Sequence, residues 1–173
     1  DSAALLATLE PAAAERRRLE LARKADAEGE AALALKTLRA ARRDRPESLP
    51  VAAALLERLF LLGAPEEAIE SAGVLAAVPL ADLPGALDVG DHEAFDLLRL
   101  GARVLVEARD AAAGPLMEAL FEARPGDEAL ADALLEHHRR EGDLQEVARV
   151  LEHHREQQRP KRQAALARRL ADL

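Results

Sequence analysis

Residues 15–46 read ERRRLELARKADAEGEAALALKTLRAARRDRP. Two stretches with apolar residues at every third or fourth position flank Gly29, and this spacing is typical of amphipathic helices. Gly29 and Gly63 lie 34 residues apart, and Ala34 and Ala68 are separated by the same distance. A period of this length predicts a helical hairpin that is repeated along the chain.

Turn residues divide the rest of the chain into further hairpins. Proline lacks the backbone N–H and glycine adopts turn conformations readily, so both tend to end helices. Residues 79–91 hold two prolines and two glycines among apolar residues, which predicts a packed connector. We expect a single all-α domain over 1–173, with about nine helices and no strand. Its predicted parts are a partial helix at 2–10, hairpins at about 12–46, 47–79, 91–125 and 127–159, and a last helix at 160–173.

The composition favours helices throughout. Of the 173 residues, 49% are apolar but only three are aromatic, so alanine and leucine must fill the core. Alanine, leucine, arginine and glutamate lose little side-chain freedom in a helix, whereas residues that favour strands are scarce. The absence of cysteine excludes disulfides, thiolate nucleophiles and cysteine-based zinc sites.

The net charge of −8 is unevenly distributed, although most charges are expected on solvated helix faces. Residues 64–136 carry 16 acidic and 4 basic side chains, and residues 137–173 carry 6 and 9. An acidic middle repels phosphate, and the basic end has no aromatic residue for base stacking, so we expect no nucleic-acid binding. Charged residues interrupt every apolar stretch before the ~18 residues of a membrane span. We expect a cytoplasmic segment of a longer protein, since the sequence begins at Asp1 without a signal segment.

The 34-residue pattern resembles that of the tetratricopeptide repeat family. In this family, small or aliphatic residues stand where helices cross, glycine occupies the turn and proline follows the second helix. Repeats that start at Glu15, Leu49 and Glu128 place these residues at the family's positions: Ala22, Gly29, Ala34, Ala41 and Pro46; Leu56, Gly63, Ala68 and Leu75; and Leu135, Gly142, Val147 and His154. The hairpin 91–125 carries an insertion and departs from the pattern. The alanine- and arginine-rich style also resembles large multi-repeat proteins of bacteria.

The resemblance implies a right-handed α-α solenoid, whose concave surface is lined by the first helix of each repeat. It implies a noncatalytic scaffold that binds a peptide or helix of a partner protein there, with Phe60 and Leu61 as apolar anchors. The alternative is self-association through the terminal hairpins, which would give a homo-oligomer. The candidate partner-binding residues are Arg16, Leu19, Arg23, Glu57, Phe60, Leu61, Glu136, Arg139 and Arg140, and the same positions include Asp26, Ala53 and Asp132.

Four of the five histidines stand in two copies of the pentapeptide LEHHR. A metal site would pair His138 with His153 or His154 across a hairpin, with Glu136 or Glu152 completing the ligands. Adjacent residues on a helix point about 100° apart, so at most one histidine of each pair faces a common centre. Helix packing with solvated histidines is therefore the favoured interpretation. The sequence holds no catalytic motif, so we expect no enzyme activity, no cofactor and no metal.

Overall fold

A computed structural model describes residues 11–63 and 65–156 of the chain. Every regular element within these two ranges is helical, and no strand occurs there. The all-α prediction is confirmed for this part of the chain. No helix in it combines the length and the apolar composition that crossing a bilayer requires. The predicted helices at 2–10 and 160–173 lie outside the described residues.

The chain forms two compact units, Asp1–Ala108 and Arg109–Leu173. Their boundary lies inside the predicted hairpin 91–125, and the single domain over 1–173 stays a prediction. The helices of the first unit are α1 (Pro11–Ala27), α2 (Ala31–Asp44), α3 (Leu49–Leu62), α4 (Pro65–Ala76), α5 (Leu83–Leu87) and α6 (Asp91–Ala108). Those of the second unit are α7 (Ala113–Ala123), α8 (Glu128–Glu141) and α9 (residues 144–156).

The three glycines that mark the predicted turns all follow a helix in the left-handed conformation. Gly29, Gly63 and Gly142 have φ values of 78°, 65° and 77°. After α1, the amide of Glu30 donates to the carbonyl of Ala25 at 2.8 Å, and the amide of Gly29 donates to a carbonyl three residues back at 3.0 Å. These bonds satisfy carbonyls that the end of the helix leaves unpaired. Glycine recurs at this position because a side chain at positive φ is strained against its own backbone, although the space around it is open.

Fully buried alanines allow the helices of the first unit to pack closely. α1 packs on α2, α3 packs on α4, and α4 also packs along α6. Ala34 on α2 and Ala68 on α4, which share the 34-residue period, are both 0% exposed. The other small and aliphatic positions of the first two predicted repeats are buried as well: Ala22, Ala41, Leu56 and Leu75. The periodic small residues therefore lie inside the unit, where a larger side chain would separate the helices.

Ion pairs connect helices that belong to different hairpins of the first unit. Arg39 of α2 donates from Nε to Glu67 of α4 at 2.7 Å, and its second donor also reaches this carboxylate. Arg58 of α3 pairs with Asp26 of α1, and the arginine side chain is only 18% exposed. The sequence pattern indicated that most charges lie on solvated helix faces. These four charges instead bridge pairs of helices.

The connector between the second hairpin and α6 was predicted to be packed, but only one of its residues is buried and most are exposed. It contains the short helix α5, which begins with the fully buried Leu83. The carboxyl end of this helix turns at Asp88, whose φ is 56°. An aspartate tolerates this left-handed conformation better than most residues do. Residues that look irregular in sequence therefore contribute an apolar side chain to the core.

In the second unit, α7 packs on α8 around an aromatic residue. Phe121 and Leu120 of α7 and Leu134 of α8 are almost completely buried. Aspartates begin the two following helices: Asp127 Oδ1 accepts from the amide of residue 130 at 3.1 Å, and Asp143 Oδ1 accepts from the amide of residue 146 at 3.2 Å. Such caps satisfy amides that the first turn of a helix leaves unpaired.

Replacing Gly29 by alanine should lower the free energy of unfolding by about 1 kcal/mol, because at positive φ the new Cβ is strained against the backbone of its own residue. Gly101, inside α6, supplies the matched control. A methyl group there would meet Ala72 Cβ at 3.5 Å and Leu56 Cδ2 at 3.6 Å, which are ordinary contacts. Gly101→Ala should raise the unfolding free energy by about 0.5 kcal/mol through helix propensity. Urea unfolding measures both, and equal effects would contradict the role of Gly29 as a helix cap.

Candidate functional site

The first unit contains a groove lined by side chains of α1, α3 and α6. It encloses about 240 Å³. Residues four apart on one helix, such as Leu19 and Arg23 on α1 or Glu93 and Leu97 on α6, lie on the same helix face. The complete lining is Leu19, Ala22, Arg23, Asp26, Leu38, Pro50, Ala53, Ala54, Glu57, Arg58, Leu61, Leu87, Val89, Glu93 and Leu97.

The floor of the groove is apolar, and its rim carries charge. Ala22 and Leu38 are each 2% exposed, whereas Arg23 and Glu57 are exposed. The middle of the α3 wall is Ala53, whose short side chain leaves the space open. An occupant would therefore place apolar atoms on the floor and polar groups at the rim.

Two carboxylates of the groove lining, Glu57 and Glu93, interact electrostatically. The pKa of Glu57 is raised, first by partial desolvation against the groove wall and then by the nearby charge of Glu93, while Arg23 acts in the opposite direction. Asp26 is already paired with Arg58. Glu57 and Glu93 therefore form a negative pair on two different helices, and a cation placed between them would be stabilised.

Four of the nine candidate partner-binding residues lie together in this groove. They are Leu19 and Arg23 on α1 and Glu57 and Leu61 on α3, and Leu61 is 77% exposed. Asp26 and Ala53, which occupy the same repeat positions, also line the groove.

The other candidates lie elsewhere. Arg16 is exposed on α1, outside the groove lining. Phe60 is also outside it, and Arg103 covers its ring with Cζ 5.2 Å from the ring centroid, a cation–π contact. The remaining three candidates lie on α8 of the second unit, and all are exposed. Arg140 Nε pairs with Glu136 Oε1 at 3.0 Å, and the third candidate is Arg139.

The part of the groove supplied by α5 and α6 was not predicted. Leu87, Val89, Glu93 and Leu97 line it, although no candidate residue was assigned to the hairpin 91–125. The connector shifts these residues out of the 34-residue register, so the repeat pattern did not extend to them. The apolar residues of the connector were the available signal, because they indicated a segment packed against the first unit.

The paired histidines of the second unit have different surroundings. His153 meets the ring of Phe121 edge-on, with 5.5 Å between centroids. His154 Nδ1 lies 3.1 Å from the carbonyl oxygen of Pro125. The ring of His137 lies over the backbone of Gly114, where an added methyl group would come within 2.8 Å of Nε2.

His138 has a different set of neighbours from the one considered in the sequence. One ligand atom each from Glu118 of α7, His138 of α8 and Glu146 of α9 lie within 4.8 Å of one another. His138 Nε2 is 3.4 Å from Glu118 Oε1. Neither glutamate belongs to the repeated pentapeptide, so the spacing of the histidines did not predict this group.

No protein-family model matches the chain, and no curated protein matches it. The described residues define an all-helical protein whose first unit carries a mixed apolar and charged groove. Its function is therefore inferred from the geometry and charge of its own side chains.

Replacing Glu57 by glutamine should reduce the pH dependence of stability. The raised pKa of this carboxyl favours folding fully below the ordinary glutamate pKa of about 4.3, and this contribution is lost as pH rises through the higher folded-state pKa. Between about pH 4 and pH 7, Glu57→Gln should therefore lose about 0.5 kcal/mol less stability than the parent chain, a small effect because solvent screens this side chain. Urea unfolding at several pH values measures the difference. Glu47→Gln, in the exposed turn before α3, is the control, and an identical change in it would contradict the assignment to Glu57.

Proposed function

We propose that the chain is a noncatalytic protein-interaction module built from tetratricopeptide-like hairpins. In this proposal, the groove of the first unit holds a short segment of a partner protein. The observation that carries it is the convergence of Leu19, Arg23, Glu57 and Leu61 on one groove. These residues were selected from the repeat pattern alone, as positions that face the concave surface.

The composition of the groove favours a partner segment with both apolar and basic side chains. The floor offers buried apolar surface around Leu38 and Leu97, on which a side chain of similar type can pack. At the rim, the paired carboxylates of Glu57 and Glu93 repel each other. A lysine or arginine of the partner would relieve this repulsion and reverse the upward shift in the pKa of Glu57.

One observation favours the alternative of self-association. Leu144 and Leu151 are seven residues apart on α9, so they share one face of this helix, and they are 75% and 47% exposed. A second copy of the chain could cover this face.

The cytoplasmic location expected from the sequence belongs to the proposal of a protein-interaction module, in which the partner is another cytoplasmic protein.

Selection of peptides on the intact chain tests the groove directly. A randomised peptide display library should yield binders that combine one or more leucine-like residues with a lysine or arginine. Leu61→Asp should weaken a selected peptide by about tenfold or more, since it places a charge beside the apolar floor. Glu57→Lys should weaken it to a similar extent by removing the carboxylate pair. Fluorescence anisotropy with the labelled peptide measures both affinities.

Leu144→Asp is the matched control, because Leu144 is exposed to nearly the same degree as Leu61 but lies on α9. It should leave peptide affinity unchanged. Peptides whose binding survives both groove substitutions would refute the groove as the binding site. Light scattering distinguishes the alternative: a mass above 18.6 kDa that grows with concentration, and that Leu144→Asp abolishes, would favour self-association.

A further inference from the structure

We propose that Glu118, His138 and Glu146 form a binding site for a divalent transition-metal ion of the zinc type. The three residues lie on three successive helices of the second unit, α7, α8 and α9. This site is separate from the groove, and it shares only His138 with the histidine set considered in the sequence.

The distances between the ligand atoms suit a single small ion. Zinc binds carboxylate oxygen and imidazole nitrogen at about 2.0–2.2 Å, which sets tetrahedral ligand atoms about 3.4 Å apart. His138 Nε2 and Glu118 Oε1 already have this separation, 3.4 Å. The ligand atoms of the whole group lie within 4.8 Å of one another, and both glutamates can approach further by rotating about side-chain bonds.

The buried imidazole of His138 supplies the second observation. This residue is 6% exposed, and its Nε2, which faces the two carboxylates, makes no hydrogen bond with any described residue. A buried nitrogen that makes no hydrogen bond is rare in folded proteins, and an ion bound between it and the Glu118 carboxylate, 3.4 Å away, is one way of satisfying it. The backbone of the residue is fixed, because its carbonyl accepts from the amide of Asp143 at 2.9 Å in the turn after α8.

The ligand types select the class of metal. Imidazole nitrogen suits zinc, cobalt and related transition metals, whereas calcium and magnesium prefer ligands that are all oxygen. Two carboxylates and one neutral imidazole balance the charge of a divalent ion. Three protein ligands leave one tetrahedral position for water. The ion would connect α7, α8 and α9, so its binding would stabilise the second unit.

Arg149 is the internal competitor for this site. Its guanidinium hydrogen-bonds the carboxylate of Glu146, and the charges of Glu118 and Glu122 also act on it. A metal ion would replace this cation in balancing the two ligand carboxylates. Removing the arginine should therefore tighten metal binding. If the ion pair only stabilised the fold, its removal would not have this effect.

The test uses the untagged full chain after treatment with a chelator, titrated with Zn²⁺ and, separately, Mg²⁺. The absence of cysteine removes the usual competing ligand. Calorimetry should show one Zn²⁺ per chain, bound at least tenfold more tightly than Mg²⁺. At a hundredfold excess over Kd, Zn²⁺ should raise the melting temperature by about 5 °C or more. No heat and no rise in melting temperature would overturn the proposal.

Variants distinguish coordination from general attraction to negative charge. Glu118→Gln should weaken Zn²⁺ binding by about tenfold or more, whereas Glu122→Gln, which removes a nearby carboxylate of the same helix, should change it by less than about twofold. Arg149→Gln should strengthen it by about fivefold. Equal losses in the two glutamate variants would refute coordination. Coordination by His138 would also be refuted if His153→Gln lowered the Zn²⁺ affinity and His138→Gln left it unchanged.

Both histidine variants need to be folded for this comparison. Circular dichroism and the melting temperature in the presence of a chelator check this for each. If His138→Gln unfolds, Glu118→Gln decides the outcome, because Glu118 is a partly exposed ligand whose side chain is 37% accessible. Visible absorption of bound Co²⁺ in the parent chain gives an independent measure of coordination by nitrogen and oxygen.

Discussion

Close packing of helices at alanine is the constraint on which the first unit depends. With only three aromatic residues in the chain, few bulky side chains are present to fill wide gaps between helices. The helices must instead approach until short side chains meet, and Ala34, Ala68 and Ala72 are all completely buried. The left-handed glycines at the turns follow from the same requirement, because a tight turn keeps two consecutive helices in contact. The open groove also follows, since Ala53 leaves space between α3 and its neighbours.

Local signals in the sequence were enough to predict the helical class and the main turns. Gly29, Gly63 and Gly142 all turn the chain as predicted, because their role depends on backbone conformation, which a single residue can determine. The residues on α1 and α3 that keep the 34-residue register were among the sequence candidates and line the groove. Glu93 and Leu97 were missed because the connector before α6 changes the register, and only packing determines where the chain resumes. Periodicity therefore predicts regular helix pairs and fails at an insertion.

Charge was harder to interpret from sequence than apolar spacing. Arg39 and Glu67 are 28 residues apart, and Asp26 and Arg58 are 32 residues apart, so neither pair has the spacing of neighbours on one helix. Both join helices of different hairpins. The partly buried Arg58 makes its pair more costly to break than an exposed one. In the groove, this pairing of Asp26 and Arg58 leaves Arg23, Glu57 and Glu93 as the other charges of the lining.

In the second unit, the hairpin predicted as a later repeat carries four histidines with polar or aromatic neighbours. His154 stands where the first two predicted repeats have the buried residues Ala41 and Leu75. A histidine in such a place needs a polar partner, and His154 has the carbonyl of Pro125. His153 is accommodated differently, by ring packing. His138 is the most buried of these four histidines, and two carboxylates lie near its Nε2, which makes no hydrogen bond. Burying an imidazole nitrogen that makes no hydrogen bond is costly, and a cation bound between it and the carboxylates would remove that cost. The proposed site therefore accounts for a histidine that apolar packing alone leaves unexplained.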